Sequence, residues 1–331
     1  MLGEETAGPR GADRIGGPQP STAGRRGRAR WADALFRMIL TVFGFVIVMF
    51  VAAIAMKLLV SALPAIQKFG LSFLWTSRWD PVHGVFGALP FLYGTLVSSA
   101  IALIIGVPIS LGVAIYLAEL SHSGTSVVLS FVVELLAAIP SVILGLWGIF
   151  VLSPWIRNAV EPALAAGFGW LPLFSGPRYG IGMLAAGFIL AIMVIPIISS
   201  VSRDVLRAVP QHQREGMYAL GATRWEVIRQ AVLPYGRMGL IGAIILGFGR
   251  AFGETMAVTM VIGNRPQISA SLFQPAYTIA AALANEFSEA TTEIYLSSLI
   301  AMALVLFIVS LIVNAAARWL VSHIAQPVGP V

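Results

Sequence analysis

Residues 215–234, EGMYALGATRWEVIRQAVLP, decide how the chain is read, because they form a polar, structured island between long apolar runs. Pro210 suits the first turn of a helix, where its missing N–H would have had no intrahelical partner, and Gln211 to Leu220 carries no breaker except Gly216. Gly221 stops that helix, since a residue without a Cβ takes the left-handed conformation that ends many helices. Two residues on, Thr223 and Glu226 have the S/T-x-x-E spacing of a capping box, which predicts a second short helix from Arg224. Trp225, Ile228 and Val232 then share one face, Arg224, Glu226 and Arg229 lie elsewhere, and Pro234 bounds the end. Two helical pieces bent at a glycine make a compact knob. A knob between membrane spans can pass force to or from a soluble partner.

The rest of the chain has the composition of a membrane protein. Hydrophobic residues make up 58% and charged residues 11% of it, against roughly 25% charged in ordinary soluble domains. Cysteine is absent, which excludes disulfides, thiolate metal sites and cysteine nucleophiles. Six runs are long enough to cross a bilayer core: 36–60, 91–118, 125–152, 180–202, 238–263 and 294–317. Backbone amides cannot go unpaired in lipid, so each is expected to be helical, with Pro108, Pro140 and Pro196 kinking spans two, three and four. Such kinks either line a pathway or reflect irregular packing.

Arginine and lysine set the topology. Seven arginines up to Arg37, with Arg203, Arg207, Arg214, Arg224, Arg229, Arg237 and Arg318, fall on one side of the six runs. Only Lys68, Arg78, Arg157, Arg178 and Arg265 fall on the other. The positive-inside bias therefore puts both termini and residues 203–237 in the cytoplasm. Residues 1–30, rich in Gly, Pro and Arg, are expected to be a disordered basic cytoplasmic tail, followed by an anchor helix over 31–65. Arg25-Arg26 with Ala53-Ile54-Ala55 also fits a cleaved export signal, but the intervening apolar run is too long for one. The arginines lack interleaved aromatics and a binding fold, so nucleic acid is not expected as a partner. Outside, Trp75, Trp79, Trp155 and Trp170 suit the headgroup zone. Residues 265–293, with Glu286, Glu289 and Glu293, read as a solvated loop or as part of a docking face for an extracytoplasmic protein.

Charges inside the spans are the candidates for chemistry. Arg250 and Glu254 fall within the fifth run, where a charge costs at least about 2.5–3.5 kcal/mol and normally faces protein or water. At i,i+4 they share a helix face and can pair, while Gly249 and Gly253 let another helix approach. Two readings stay open: an ion pair that fixes packing, or an arginine whose planar fork binds an anion bidentately. Glu134 at the start of the third run either answers Arg250 or Arg318 across the bundle or sits at the interface. Lys57 can snorkel to the headgroups.

The order Glu215, Gly221, Leu233-Pro234 resembles the EAA loop of ABC importer permeases, with Gly216, Met217 and Ala231 differing from the pattern. Together with LYGTLVSSAIALIIGVPISLGVAIYLAEL at 92–120, ELLAAIPSVILGLWG at 134–148 and GRAFGETMAVTMVIGN at 249–264, it resembles the PstC-type permeases of phosphate-specific ABC transporters over residues 86–264. The resemblance implies an all-α integral membrane protein of the bacterial cytoplasmic (inner) membrane, with six transmembrane helices in the type I ABC importer permease fold. It implies a transmembrane domain over 86–325 whose cytoplasmic coupling helix lies in the loop 203–237, with Glu215, Tyr218, Ala219, Leu220, Gly221, Ala222 and Thr223 meeting an ATPase. Arg250, Glu254 and Glu134 become candidates for the substrate pathway. The implied partners are a second, PstA-type permease, a PstB-type ATPase dimer and a PstS-type phosphate-binding protein outside.

No G-x-x-x-x-G-K-[ST] occurs, since the only lysines, Lys57 and Lys68, follow Met56 and Gln67. The chain is therefore expected to bind no cofactor of its own and to catalyse nothing, with ATP and Mg on the partner ATPase. No H-E-x-x-H occurs, which excludes a zincin-type intramembrane protease. Three functions remain: a phosphate importer subunit, the same machine for another oxyanion or an organic phosphate, and a channel, secondary transporter or structural subunit working without nucleotide.

Overall fold

The computed structural model describes residues 23–324. Helix α1 (Ala23–Phe69) begins inside the stretch expected to be irregular, and residues 1–22 of the expected basic tail lie outside the described residues. The chain divides into two compact units, Met1–Ile54 and Ala55–Val331. In the first, residues 34–54 form a mostly apolar helix exposed on every face, the composition expected of a helix surrounded by lipid.

The second unit is a bundle. Its long helices are α2 (Leu89–Leu120), α4 (Ser141–Phe168), α5 (Met183–Arg207), α7 (Arg224–Phe252) and the membrane-crossing part of α10 (Glu293–Ile324). Shorter helices are α3 (Ser123–Ala137), α6 (Gln211–Ala219), α8 (Met256–Val261) and α9 (Ile279–Glu286). Six described helices, counting α1, are long and apolar enough to cross a membrane. α5 is the hub: 67% of its most apolar stretch is buried, against 28% for each of the other long helices of this unit. Lipid is as apolar as leucine, so close packing rather than a hydrophobic gain holds such helices together. At the α2–α5 seam a Cβ on Gly187 would lie 2.3 Å from Ile101 Cγ2, and one on Gly106 2.8 Å from Val194 Cγ2. The two glycines let the backbones meet.

The prolines behave differently from one another. Pro108 and Pro196 lie within continuous α2 and α5. Pro140 does not kink a single span over 125–152. It caps α4 in an extended conformation (φ −59°, ψ 136°) after α3 has ended at Ala137, so the third crossing helix is Ser141–Phe168 and α3 is a separate, shorter piece. The residue before a proline is biased away from the helical region, and here the chain leaves the helix before Pro140. The fifth crossing also shifts. Pro234 does not end the second piece of the knob: α7 widens into a π-helical turn over Ile228–Val232 just before it and continues through it to Phe252. Residues Gly253–Thr255 then break the helix before α8, so the run expected over 238–263 is two helices.

Residues 265–293 are a solvated loop only in part: 287–289 and 291–293, with Glu289 and Glu293, are exposed, but the stretch before them is largely packed. The first amides of α5 have no intrahelical partner. Those of Gly182, Met183 and Leu184 donate to the carbonyls of Val261 (2.9 Å), Gln274 (3.2 Å) and Leu272 (2.9 Å). Leu272, Phe273, Ala276 and Tyr277 are buried. Irregular backbone of this kind is stable in a membrane protein when protein covers it. Glu286 accepts hydrogen bonds from Trp79 Nε1 and Tyr295 Oη, each at 2.8 Å. Trp79 lies edge-on to Phe86 and Phe91, with centroids 4.8 Å away. Burial pushes the neighbouring Tyr277 phenol up to about 12, so it remains a neutral hydrogen-bonding group, accepting from Asn285 Nδ2 at 3.0 Å.

Candidate functional site

The break after α7 builds the intramembrane part of the site. Arg250 sits in the last turn of α7, and Glu254 lies just past it, beyond Gly253, rather than further along the same helix. They still pair: Arg250 Nη1 is 2.5 Å from Glu254 Oε2. The other carboxylate oxygen accepts the Ala257 amide at 3.3 Å, so Glu254 also caps the start of α8. The glutamate side chain is 3% exposed and the arginine side chain 42%. One end of the pair is therefore sealed in protein, and the other keeps an open face. Gly249 lines a cavity of about 860 Å³ that also contains Asn314 and Arg318. Gly253 and Thr255 line a second cavity, of about 660 Å³, against α9 and α10.

The knob forms as its local chemistry dictates. α6 ends in a Schellman motif: the Gly221 amide donates to Tyr218 O at 2.9 Å and the Ala222 amide to Met217 O at 3.1 Å, with Gly221 at φ +79°. Thr223 Oγ1 accepts the Glu226 amide at 3.4 Å, and Glu226 Oε2 accepts the Thr223 amide at 2.7 Å, completing the capping box. Glu215, Tyr218, Ala219, Leu220, Gly221 and Thr223 are exposed together. Ala222 differs from the expectation: it is half-buried and packs with Met217 and Val227 against Leu111, Ile115 and Leu206. Trp225 departs from the face shared by the buried Ile228 and Val232 and, like Leu220, is exposed. A polar segment thus presents two large apolar side chains, which is the composition of a docking surface.

Glu134 answers neither Arg250 nor Arg318. Its Oε1 is 3.3 Å from Arg203 Nη1, and its side chain is 57% exposed, at one end of the bundle. Arg203 also pairs with Asp204 at 2.9 Å. The structure therefore joins Arg250 with Glu254 and groups the knob residues, but leaves Glu134 with a different partner. Three polar contacts are not evident from the sequence. Glu161, buried in α4, accepts the Gly180 amide at 3.1 Å. Arg207 donates to Ser126 Oγ at 2.6 Å. Arg214 pairs with Glu119 at 2.7 Å. A carboxylate at the last turn of an apolar run facing an arginine-rich segment was the available signal for Glu119.

The comparisons with known proteins bear on this arrangement. The family described as binding-protein-dependent transport system inner membrane component matches residues 106–326. The chain is 44% identical over 301 residues to the phosphate transport system permease protein PstC of Mesorhizobium japonicum, covering 90% of this chain and 92% of that one. It is 45% identical over 317 residues to the protein of the same name from Xylella fastidiosa, covering 94% and 97%. Among solved structures, it resembles a bacterial alginate ABC transporter in complex with alginate pentasaccharide-bound periplasmic protein (TM-score 0.59, 15% identity, 89% of this chain and 98% of that one). It also resembles the inward-facing MetNI methionine ABC transporter (TM-score 0.52, 18% identity, 72% and 95%). At those identities the structures speak for the fold, a type I ABC importer permease. The chain belongs to the binding-protein-dependent transport system inner membrane components and, among them, to the PstC phosphate transport system permease family.

Proposed function

We propose that this chain is the permease subunit of an ATP-driven importer of inorganic phosphate. The observation that carries the substrate is the 44% identity along 90% of the chain to a protein named as a phosphate transport permease. In this reading the knob side of the bundle is cytoplasmic, as are both termini, and the exposed Glu215, Tyr218, Leu220 and Trp225 meet a PstB-type ATPase dimer. A similar PstA-type permease completes the pathway, and a PstS-type binding protein delivers phosphate from outside. ATP and Mg bind on the ATPase subunits. This chain holds no cofactor and catalyses no reaction.

The mechanism follows from two kinds of rigidity. ATP binding closes the ATPase dimer and displaces the knob, and because α7 runs unbroken from Arg224 to Phe252, that displacement reaches Arg250 along one helix. Glu254 holds the guanidinium at one nitrogen, leaving its half-open face for a second anion. A planar fork gives phosphate oxygens charge-assisted hydrogen bonds, and the buried carboxylate keeps the net charge of the unoccupied site near zero. Contact of this kind stays weak enough for passage when the displacement changes which side the site faces.

The test is uptake of radiolabelled phosphate at limiting concentration in cells lacking this gene and any parallel phosphate system. Loss of uptake, restored by the native chain and undiminished by excess sulfate, is the expected result. Uptake that survives deletion would contradict phosphate as the solute. Restoration blocked by sulfate or an organic phosphate would favour another oxyanion, and transport without co-purifying ATPase would favour a nucleotide-independent carrier.

A further inference from the structure

We infer that Arg214 is a positioning residue that carries the knob's movement into the second span through Glu119; the inference rests on the coupling role proposed above. The knob is joined to α5 by three residues, 208–210, and runs directly into α7, so both helices follow it through covalent chain. α2 has no such link. Whatever moves α2 with the knob passes through non-covalent contacts, and the polar ones converge on Glu119 in the last turn of α2.

Arg214 lies in α6, one residue before Glu215. Its Nη2 donates to Glu119 Oε1 at 2.7 Å and to Leu206 O at 2.8 Å, its Nε to Glu119 Oε2 at 3.4 Å, and its Nη1 to Val209 O. Leu206 lies in the last turn of α5 and Val209 just beyond it, where carbonyls have no following turn of helix, although Leu206 O also accepts the Val209 amide at 3.3 Å. One planar group therefore closes the ends of two spans at once. From the other side of Gly221, Arg224 donates to the backbone carbonyl of Glu119. The Glu119 and Arg214 side chains are 11% and 16% exposed, so solvent screens the pair little. The apolar packing of Met217 and Ala222 on Leu111 and Ile115 adds adhesion, but it has no direction. The guanidinium supplies the register, which an ammonium, as a point charge, does not reproduce.

The test uses the assembled complex in vesicles, with Glu119→Gln/Arg214→Gln, which leaves no unpaired charge behind. Phosphate accumulated per ATP hydrolysed is expected to fall by about fivefold or more, the lower end of ordinary coupling between sites, at an unchanged amount of complex. A native ratio in that variant would overturn the inference. Glu119→Gln alone keeps the bonds from Arg214 to α5 and serves if the double variant does not assemble. A smaller fall in the ratio is expected, and a native ratio would again overturn the inference.

A second readout does not depend on the solute. The chain has no cysteine, so spin labels at H212C and I104C, both at exposed positions on α6 and α2, meet no background from this subunit. With the joint intact, their separation is expected to be the same with and without ATP. With the double variant it should become nucleotide-dependent, and identical behaviour of the two proteins would refute the joint. If the native complex fails to accumulate phosphate, the proposed solute is wrong, and the label distances still decide the role of Arg214.

Discussion

Two arginine–carboxylate pairs in this molecule are alike in chemistry and opposite in situation. Arg214–Glu119, at the knob, is closed on both sides: 16% and 11% of the side chains are exposed, and the guanidinium also serves two backbone carbonyls. Arg250–Glu254, at the break after α7, is closed on one side only, with the carboxylate 3% and the guanidinium 42% exposed. The number of donors already committed separates the two. An arginine whose fork is filled by its own protein fixes geometry. One held at a single nitrogen has donors left for a passing anion.

The largest expected effect is that of Arg250→Gln, which strands the Glu254 carboxylate in a sealed site. Removing one partner of a buried pair costs about 3–5 kcal/mol. The half-open arginine points to the lower end of that range, so both assembled complex and phosphate uptake should fall, measured by membrane level and by radiolabel. At Gly221 the backbone has φ +79° and a Cβ would meet nothing within 4 Å, so Gly221→Ala is penalised by conformation and not by a clash. Left-handed backbone costs an L-residue about 1–2 kcal/mol, and ATPase binding should weaken by about tenfold. Thr223→Ala removes the capping box at a cost of about 1 kcal/mol, which should weaken the same binding by about fivefold. Glu134→Gln should do least. Its partner Arg203 keeps Asp204, its carboxylate is 57% exposed, and pairs of this sort contribute about 0–1 kcal/mol, so uptake should stay within about twofold of native.

Those magnitudes also mark what was legible in the sequence. The knob could be read because a Schellman glycine and a capping box are local, decided within about six residues of chain. The six crossings could be read because lipid demands length and apolarity. Pro140 as a break instead of a kink, and the interruption at Gly253–Thr255, depend on which neighbours take up the freed carbonyls and amides, which sequence does not display. Partner choice was the least legible. Glu134 had several arginines within reach of imagination and took Arg203, while Glu119 attracted no attention because the arginine it meets is 95 residues away. At 265–293 Glu286 differs from the expectation for the same reason, because Trp79, 207 residues away, bonds it alongside the nearby Tyr295, while Glu289 and Glu293 are exposed.

The most direct test of the central claim, that the open face of Arg250 meets phosphate, is the neutral pair Arg250→Gln/Glu254→Gln. It removes the buried charge together with the arginine, so folding and anion contact are separated. Radiolabelled phosphate accumulation would be measured in vesicles holding equal amounts of the native and doubly substituted complexes, with ATP inside and binding protein outside. The account predicts that the double variant assembles with its ATPase and accumulates no phosphate. Accumulation at the native rate would contradict it and make the pair a packing element.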